Sequence, residues 1–467
     1  MPEKKSTSMI VVLYAAAFIA ALNANIVNVG LSSIMEEFAI DANIANWLVT
    51  GYMVVTAIVV TCVAFLLKRV KLKTLFVTAA LIFIVGCATA FFAPTFPVLL
   101  ACRLLQAVGG GIFIPTMMHT LLAVVPRKKL GAYMSVGSCC ITFGPAFGPI
   151  VSGLMITYFG WRAMFIAPMV VMGVVLVVGI FFIKNYSETE KVKLDAVSVV
   201  LSALGLTALV YGLSQIMSNL PLALAALVLG VIILAGFALR QAMTQNPLLN
   251  LRPLKYSSFV FACILVIISM MTTFSMSVLL PLYFVGAVGA TALVAGALTL
   301  IPILAQAATA IAGGRIMDRW GEWPLLPLGF LLATAGQVIV YMVSQTLSPL
   351  LVIMGAAIVF AGIGFVFSPS QTAGLRKLDS GMNASGVAIM SIFIQVAAAL
   401  GPSLFVGVLS SSASQCLSGG ASVNFAQAEG FAMAIMVAGI IAGVGFIVAF
   451  VYAFTMRKAT NDSPVHK

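Results

Sequence analysis

PVLLACRLLQAVGGGIFIPTMMHTLLAV, residues 97–124, is the stretch whose reading decides the fold. It contains a single charge, Arg103. A helix that crosses the hydrocarbon core of a bilayer needs about 20 predominantly apolar residues, and this run exceeds that. It is too long and too evenly apolar for a barrel strand, which alternates over about 10 residues. An Arg inside such a helix costs at least about 2.5–3.5 kcal/mol, so Arg103 must find partners or water and is a functional candidate by default. Gln106 follows three residues later on the same helical face. Gly109, Gly110 and Gly111 carry no side chains, so another backbone can come close. The alternative for Arg103 is snorkelling, since it lies about two turns inside the span.

The same pattern recurs along the chain. Of 467 residues, 62% are hydrophobic and 8% charged, and the mean hydropathy is +1.17. A soluble domain of this size needs far more surface charge. Divided at charge clusters and Pro/Gly breaks, the sequence gives spans at 10–32, 45–67, 75–93, 97–124, 131–157, 162–183, 195–216, 221–240, 258–284, 291–314, 324–344, 349–369, 386–409 and 431–455. The expectation is an all-α polytopic membrane protein with 14 transmembrane helices, its first span retained rather than cleaved as a signal peptide.

The formal net charge of +12 is no nucleic-acid footprint. Placed on this topology, nearly all the basic residues fall in alternate loops: Lys68 to Lys73, Arg127 to Lys129, Lys184 to Lys193, Arg240 to Lys255, Arg315 and Arg319, Arg376 and Lys377, and Arg457 and Lys458. Lys4, Lys5 and Lys467 join that face, while Glu36, Glu37, Asp41 and Glu429 take the other side with Arg162. The positive-inside rule then places both termini in the cytoplasm of a cell bounded by this plasma membrane. Six of the seven cysteines lie in spans and Cys416 lies in an outer loop, so no disulfide framework is present. That loop, about residues 410–430, is polar and reads as flexible.

Three blocks emerge: residues 1–190 as an N-terminal six-helix bundle, 191–255 as two inserted helices with a loop, and 256–467 as a C-terminal six-helix bundle. A basic loop follows span 2 and another follows span 10, its counterpart in the second block, which points to duplication. Transporters built from repeats bind substrate near the midplane, between halves that rock.

Within span 1, Tyr14, Asn25, Asn28 and Ser32 share a helical face, and Asn23 points about 200° away from Asn25. Amides in lipid are costly, so that face lines either a wet cavity or a helix contact. His119 lies on a different face from Arg103, as a structural residue or a proton carrier. Gly144, Pro145, Gly148 and Pro149 interrupt span 5 and suit a hinge. Met270, Met271, Thr272, Thr273, Ser275, Met276 and Ser277 in span 9 fit a promiscuous cavity or ordinary packing.

A series of motifs now points to a family. LNANIVNVGLS (22–32), NWLVTGYMV (46–54), RLLQAVGGG (103–111), GPAFGP (144–149), LPLYFVGAVG (280–289) and GRIMDRWG (314–321) stand in order along nearly the whole chain. The chain thereby resembles the fourteen-span drug/proton antiporters of the major facilitator superfamily. The resemblance implies a substrate cavity walled by Asn23, Asn25, Asn28, Arg103 and Gln106. It also implies an exporter-type hinge at Gly144, Pro145 and Gly148, with Pro149 where Gly is more usual. That family carries an acid, implicated in coupling, where this chain has Asn23. The superfamily's Gly-x-x-x-Asp-Arg-x-Gly latch survives after span 2 only at Arg69, with Ala64, Lys68 and Lys71 at the other positions. The second copy is whole, so gating falls to Gly314, Asp318, Arg319 and Gly321. By charge alone, Asp318 and Arg319 equally fit a solvated salt bridge.

The functional expectation is a secondary transporter that exports amphipathic organic compounds by alternating access, with protons as the candidate coupling ion. The alternative is a uniporter or exchanger of a neutral or anionic metabolite that has lost proton coupling. No cofactor or metal is expected; the partners are a small-molecule substrate and the lipid bilayer. The sequence has no GxxxxGK[ST] phosphate loop and no HExxH, and its only histidines are His119 and His466. ATP-driven transport and membrane-embedded enzymes are therefore disfavoured.

Overall fold

The computed structural model describes residues 3–40, 42–185, 195–216, 219–244, 247–321 and 323–461. Asp41, Lys191, Lys193, His466 and Lys467 of the charge reading lie outside the described residues, as do the side chains of Lys4, Lys5, Ser32, Pro149, Arg457 and Lys458. The first half runs α1 (Glu3–Asn25), α2 (Leu31–Phe38), α3 (Ala42–Ala45), α4 (Trp47–Arg69), α5 (Leu72–Phe91), α6 (Phe96–Val124), α7 (Leu130–Phe159) and α8 (Ile166–Phe182). The inserted pair is α9 (Ala196–Gln215) and α10 (Leu220–Met243). The second half is α11 (Ser257–Gly286), α12 (Ala292–Trp320), α13 (Leu325–Val343), α14 (Pro349–Arg376), α15 (Asn383–Ser418) and α16 (Val423–Asn461). Fourteen of these, α1 and α4 to α16, are long and apolar enough to cross a membrane. Both the helical class and the span count match the sequence reading.

Among the boundaries that differ from it, three bear on the expected site and loop residues. Span 1 does not run to residue 32: α1 ends at Asn25, residues 26–30 form turns, and α2 follows. Asn25 and Asn28 close this break by a side-chain hydrogen bond of 3.4 Å, the local bonding by which Asn competes with a helix. Secondly, α12 continues to Trp320 rather than 314, so Gly314, Asp318 and Arg319 are helical. It stops at Gly321, whose φ of +83° suits glycine. Thirdly, most of the expected outer loop is helix: α15 extends to Ser418 and α16 starts at Val423, with Gly420 turning at φ +85°. Gly430 lets α16 lie against Leu409 and Ala413 of α15, and Glu429 accepts a hydrogen bond from Gln345. Cys416 is accordingly in α15, not in a loop.

The chain divides into two compact units. One comprises Met1–Val124, Cys140–Arg252 and Asp379–Gln395. In it, α6 packs on α1, α4 and α5, α8 packs on α1 and α5, and α9 joins α10 to α4. Helices in lipid gain little from burying apolar surface and associate through close packing at small residues. Gly109 of α6 sits on Ala79 and Phe83 of α5, Gly111 on Val59 of α4, and Gly179 of α8 on the Phe76 ring. Gly205, Gly212 and Gly230 bring α9 and α10 together, and Tyr211 stacks on Trp47 at 5.9 Å.

The other unit comprises Val125–Cys139, Pro253–Leu378 and Val396–Lys467. Here α14 packs on α11, α12 and α13, and α16 on α11 and α13. Leu265, Leu326, Phe330, Val366 and Tyr452 form a buried core. Gly362 of α14 meets Gly329 and Ala333 of α13, and Gly445 of α16 meets the Phe330 ring. The two units share one contact pattern: Gly109 meets the Ala79 carbonyl and the Phe83 N–H across α5 and α6, and Gly362 meets the Gly329 carbonyl and the Ala333 N–H across α13 and α14.

Candidate functional site

Arg103 is fully buried, and protein acceptors surround it. Its Nη2 donates to the carbonyls of Asn23 at 2.7 Å and Ala24 at 2.9 Å. Its Nη1 donates to Gln106 Oε1 at 3.0 Å, and its Nε to the Leu48 carbonyl at 3.3 Å. The Tyr52 ring lies under the guanidinium, 4.1 Å from centroid to Cζ. Asn23 Nδ2 donates to the same Gln106 Oε1 at 3.0 Å, and Gln106 Nε2 donates to the Gly86 carbonyl at 3.0 Å. The i, i+3 spacing aligns Arg103 and Gln106 on α6, and Gly86 lets α5 approach the Gln106 backbone. Arg103 therefore joins α1, α4 and α6, and caps the last carbonyls of α1, the negative end of that helix dipole.

The amides of α1 fall into two groups. Asn23 is buried in the Arg103 network with its Oδ1 lacking a partner. Half-buried Asn25 ends α1, and exposed Asn28 lies in the following turn. The helical wheel separates Asn23 from Asn25 correctly, but it does not extend to Asn28, which is not in the helix. His119 is half-buried on α6, and the Met/Thr/Ser run of α11 is largely buried, with Gln306 Nε2 of α12 3.4 Å from Thr273 Oγ1.

The Gly/Pro segment of α7 lies against α1. A Cβ on Gly144 would overlap Ala21 and the Leu22 backbone, and one on Gly148 would lie 2.9 Å from the Leu22 carbonyl. Pro145 is half-buried between them.

The first turn of α7 carries a second constellation. Asp318, near the end of α12, accepts the backbone N–H groups of Gly131 and Ala132, both at 2.9 Å. The positive end of α7 and two otherwise unpaired donors make this a natural carboxylate seat. Gly314 and Gly131 let α12 and α7 cross closely. Further along α7, Ser135 bonds Ser368 of α14 at 2.8 Å and Ser138 donates to Gln371 at 3.1 Å. Arg319 is exposed in the last turn of α12. The sequence reading missed Tyr52, Gly86, Ser135, Ser138, Ser368 and Gln371. The matched i, i+3 pairs Ser135/Ser138 and Ser368/Gln371 were the available signal.

Among the described residues, ion pairs form at or beyond the ends of the spans. Arg162 Nη1 is 2.6 Å from Glu37 Oε1; its guanidinium, with the Trp161 indole N–H, holds the Glu37 carboxyl below its ordinary range. Asp195 caps α9 and pairs with Arg240 at 2.8 and 2.9 Å, which with Ser198 keeps its carboxyl well below the usual carboxylate range. Among the described residues no cluster of His, Cys, Asp or Glu is placed to hold a metal ion.

With fourteen helices long and apolar enough to cross a membrane, the chain is a polytopic membrane protein in architecture. The Major Facilitator Superfamily family model matches residues 13–402, and the chain belongs to that superfamily. It is 33% identical to the uncharacterized MFS-type transporter YhcA of Bacillus subtilis, over 87% of this chain and 77% of that one. It is 32% identical to the lincomycin resistance protein LmrB of the same organism, over 87% of this chain and 86% of the relative. Among solved structures, the human organic anion transporter MFSD10 shares the fold, with a TM-score of 0.65 at 12% identity, covering 96% of this chain and 100% of that one. The chain is thus a multi-pass membrane transporter of the major facilitator type, not an enzyme.

Proposed function

We propose that the protein exports amphipathic organic compounds by alternating access, coupled to protons, from the plasma membrane with both termini in the cytoplasm. In this reading the blocks 1–190 and 256–467 are the rocking bundles and 191–255 the inserted pair. Asn23, Asn25, Asn28 and Gln106 contribute to the cavity wall, and Arg103 positions that wall. Gly144, Pro145 and Gly148 form the hinge, and Gly314, Asp318, Arg319 and Gly321 the gate. The observation that carries the reading is the seat of Asp318 on the first turn of α7, a charge-assisted contact between helix ends that can be made and released as a unit. Kinship with a lincomycin resistance protein supports export of an amphipathic compound. The four hydrogen bonds of Arg103 to protein acceptors argue against its use as an anion-recognising group. The test is accumulation of lincomycin and ethidium in pump-deficient cells expressing the chain, with and without a protonophore. Reduced accumulation that the protonophore reverses supports the proposal; accumulation equal to the empty vector removes it.

One observation favours the second reading, a uniporter or exchanger of a neutral metabolite. Asn23 places an amide where the resemblance puts an acid. Efflux insensitive to the protonophore selects that reading.

A further inference from the structure

The inserted pair is fastened to more than α4. At the start of α9, Asp195 binds Arg240 of α10 through both carboxylate oxygens. The next residue of α10, Gln241, is only 4% exposed and bonds in two directions. Its Nε2 donates to Ser198 Oγ at 2.6 Å, and its Oε1 accepts the backbone N–H of Leu249 at 3.1 Å. The linker that follows α10 is thereby pinned, with Leu248 and Leu249 both 2% exposed. Asn250 then donates its backbone N–H to Ser385 Oγ at 3.2 Å. Ser385 is buried in the first turn of α15. A continuous path of hydrogen bonds therefore leads from the inserted pair to the start of α15.

The first turn of α7 supplies the comparison. It receives Asp318 from the end of α12, the second helix of the second block. The duplication makes the end of α4 the corresponding source for α15. That end reads Lys68, Arg69, Val70, Lys71. It has no carboxylate to offer a helix N-terminus, where cations are unfavourable. We propose that the linker 247–250, held by Gln241, is the latch for α15 that the end of α4 does not provide. The inserted pair then takes part in gating, with Gln241 and Ser385 as positioning residues. This inference rests on the alternating-access reading. It makes the two latches unequal: α7 is held by a carboxylate through two bonds, α15 by one neutral bond. The α15 latch is the first to release.

The test reads release without any transport substrate. A cysteine at position 388 (Ala388→Cys) sits one turn beyond Ser385, at a fully buried position of α15. It is introduced into the otherwise cysteine-free full-length chain, placed in nanodiscs with both faces accessible, and labelled with N-ethylmaleimide. Loss of one hydrogen bond predicts labelling about fivefold faster in Ser385→Ala and in Gln241→Ala. Ser385→Thr, which keeps the acceptor, restores the slow rate. Asn250→Pro removes the donor N–H from a linker position and predicts the same acceleration, so the test survives if Gln241→Ala does not fold. Unchanged labelling in the folded variants overturns the proposal. Absence of lincomycin efflux from the parent chain, in contrast, counts against the export reading alone.

Discussion

At Arg103 a charge is held inside a membrane protein by backbone carbonyls, a glutamine and an aromatic face. Such a site stays favourable only while every acceptor is in place, because a buried charge or its abandoned partners are costly. Arg103→Ala removes donors from the carbonyls of Asn23, Ala24 and Leu48 and from Gln106. The expected cost is about 3 kcal/mol or more, seen as a lower unfolding temperature of the detergent-purified protein together with loss of efflux. Arg103→Lys keeps the charge but has no planar fork to reach α1, α4 and α6 together, so it recovers only part of both. An Arg103→Ala protein that unfolds at the parent temperature yet transports nothing would instead identify Arg103 as a substrate contact.

At the scale of elements, glycine placement separates contact from lipid-facing surface. Gly144→Ala forces a methyl group into α1 and is expected to cost about 1–3 kcal/mol. Gly236 of α10 has nothing within 4 Å of an added Cβ, so Gly236→Ala is neutral or stabilising by up to about 1 kcal/mol through helix propensity. Parallel thermal unfolding of the two variants checks the contrast. The Glu37–Arg162 pair ties α2 to the turn that precedes α8 and gives a pH signature. The folded state lowers the Glu37 pKa, so the pair stabilises above the unfolded value of about 4.3 and that stability is lost as pH falls through the carboxylate range. Both partners are partly exposed, which limits the effect to at most about 1 kcal/mol. Glu37→Gln should therefore lower the unfolding temperature slightly at pH 7, and the difference should shrink as the pH falls through the lowered Glu37 pKa.

These elements also show what the chain text carries. Hydropathy marked the fourteen spans because lipid exposure demands uninterrupted apolar length. It could not mark the end of α1, where Ile26, Val27 and Val29 continue the apolar pattern through a turn. Nor could it mark the helical ends of α15 and α16, whose Ser, Ala and Gln residues look like loop but pack at Gly430. The Arg103–Gln106 pairing was legible from i, i+3 spacing. The carbonyl partners were not, because any residue supplies a carbonyl and only the fold decides which one is near.

For the whole molecule, repeated glycine contacts set the scaffold and unrepeated polar networks set the behaviour. The contact of Gly109 with Ala79 and Phe83 recurs as that of Gly362 with Gly329 and Ala333, whereas the hydrogen bonds of Arg103 lie on α1, α4 and α6 and the Asp318 seat joins α12 to α7. The helices α7 and α15 each contribute residues to both compact units, with divisions at Cys139/Cys140 and Gln395/Val396. Both divisions fall shortly before a Gly–Pro pair, Gly144–Pro145 and Gly401–Pro402, and Gly401 packs on Met271 and Ser275 of α11 as Gly144 packs on α1. Such helices suit bending about the Gly–Pro step while their first turns are latched or free. Asp318→Asn tests this at the stronger latch. The amide presents one acceptor to two N–H donors, and losing a charged hydrogen bond costs about 1.5–3 kcal/mol. Opening, read by maleimide labelling of a cysteine placed at buried Met134, should rise about tenfold or more, and efflux should fall. Asp318→Glu should lie between Asp318→Asn and the parent. If the two latches act on one opening step but touch different helices, Asp318→Asn combined with Ser385→Ala multiplies the single effects. A double variant no faster than Asp318→Asn alone would mean that freeing α7 already frees α15.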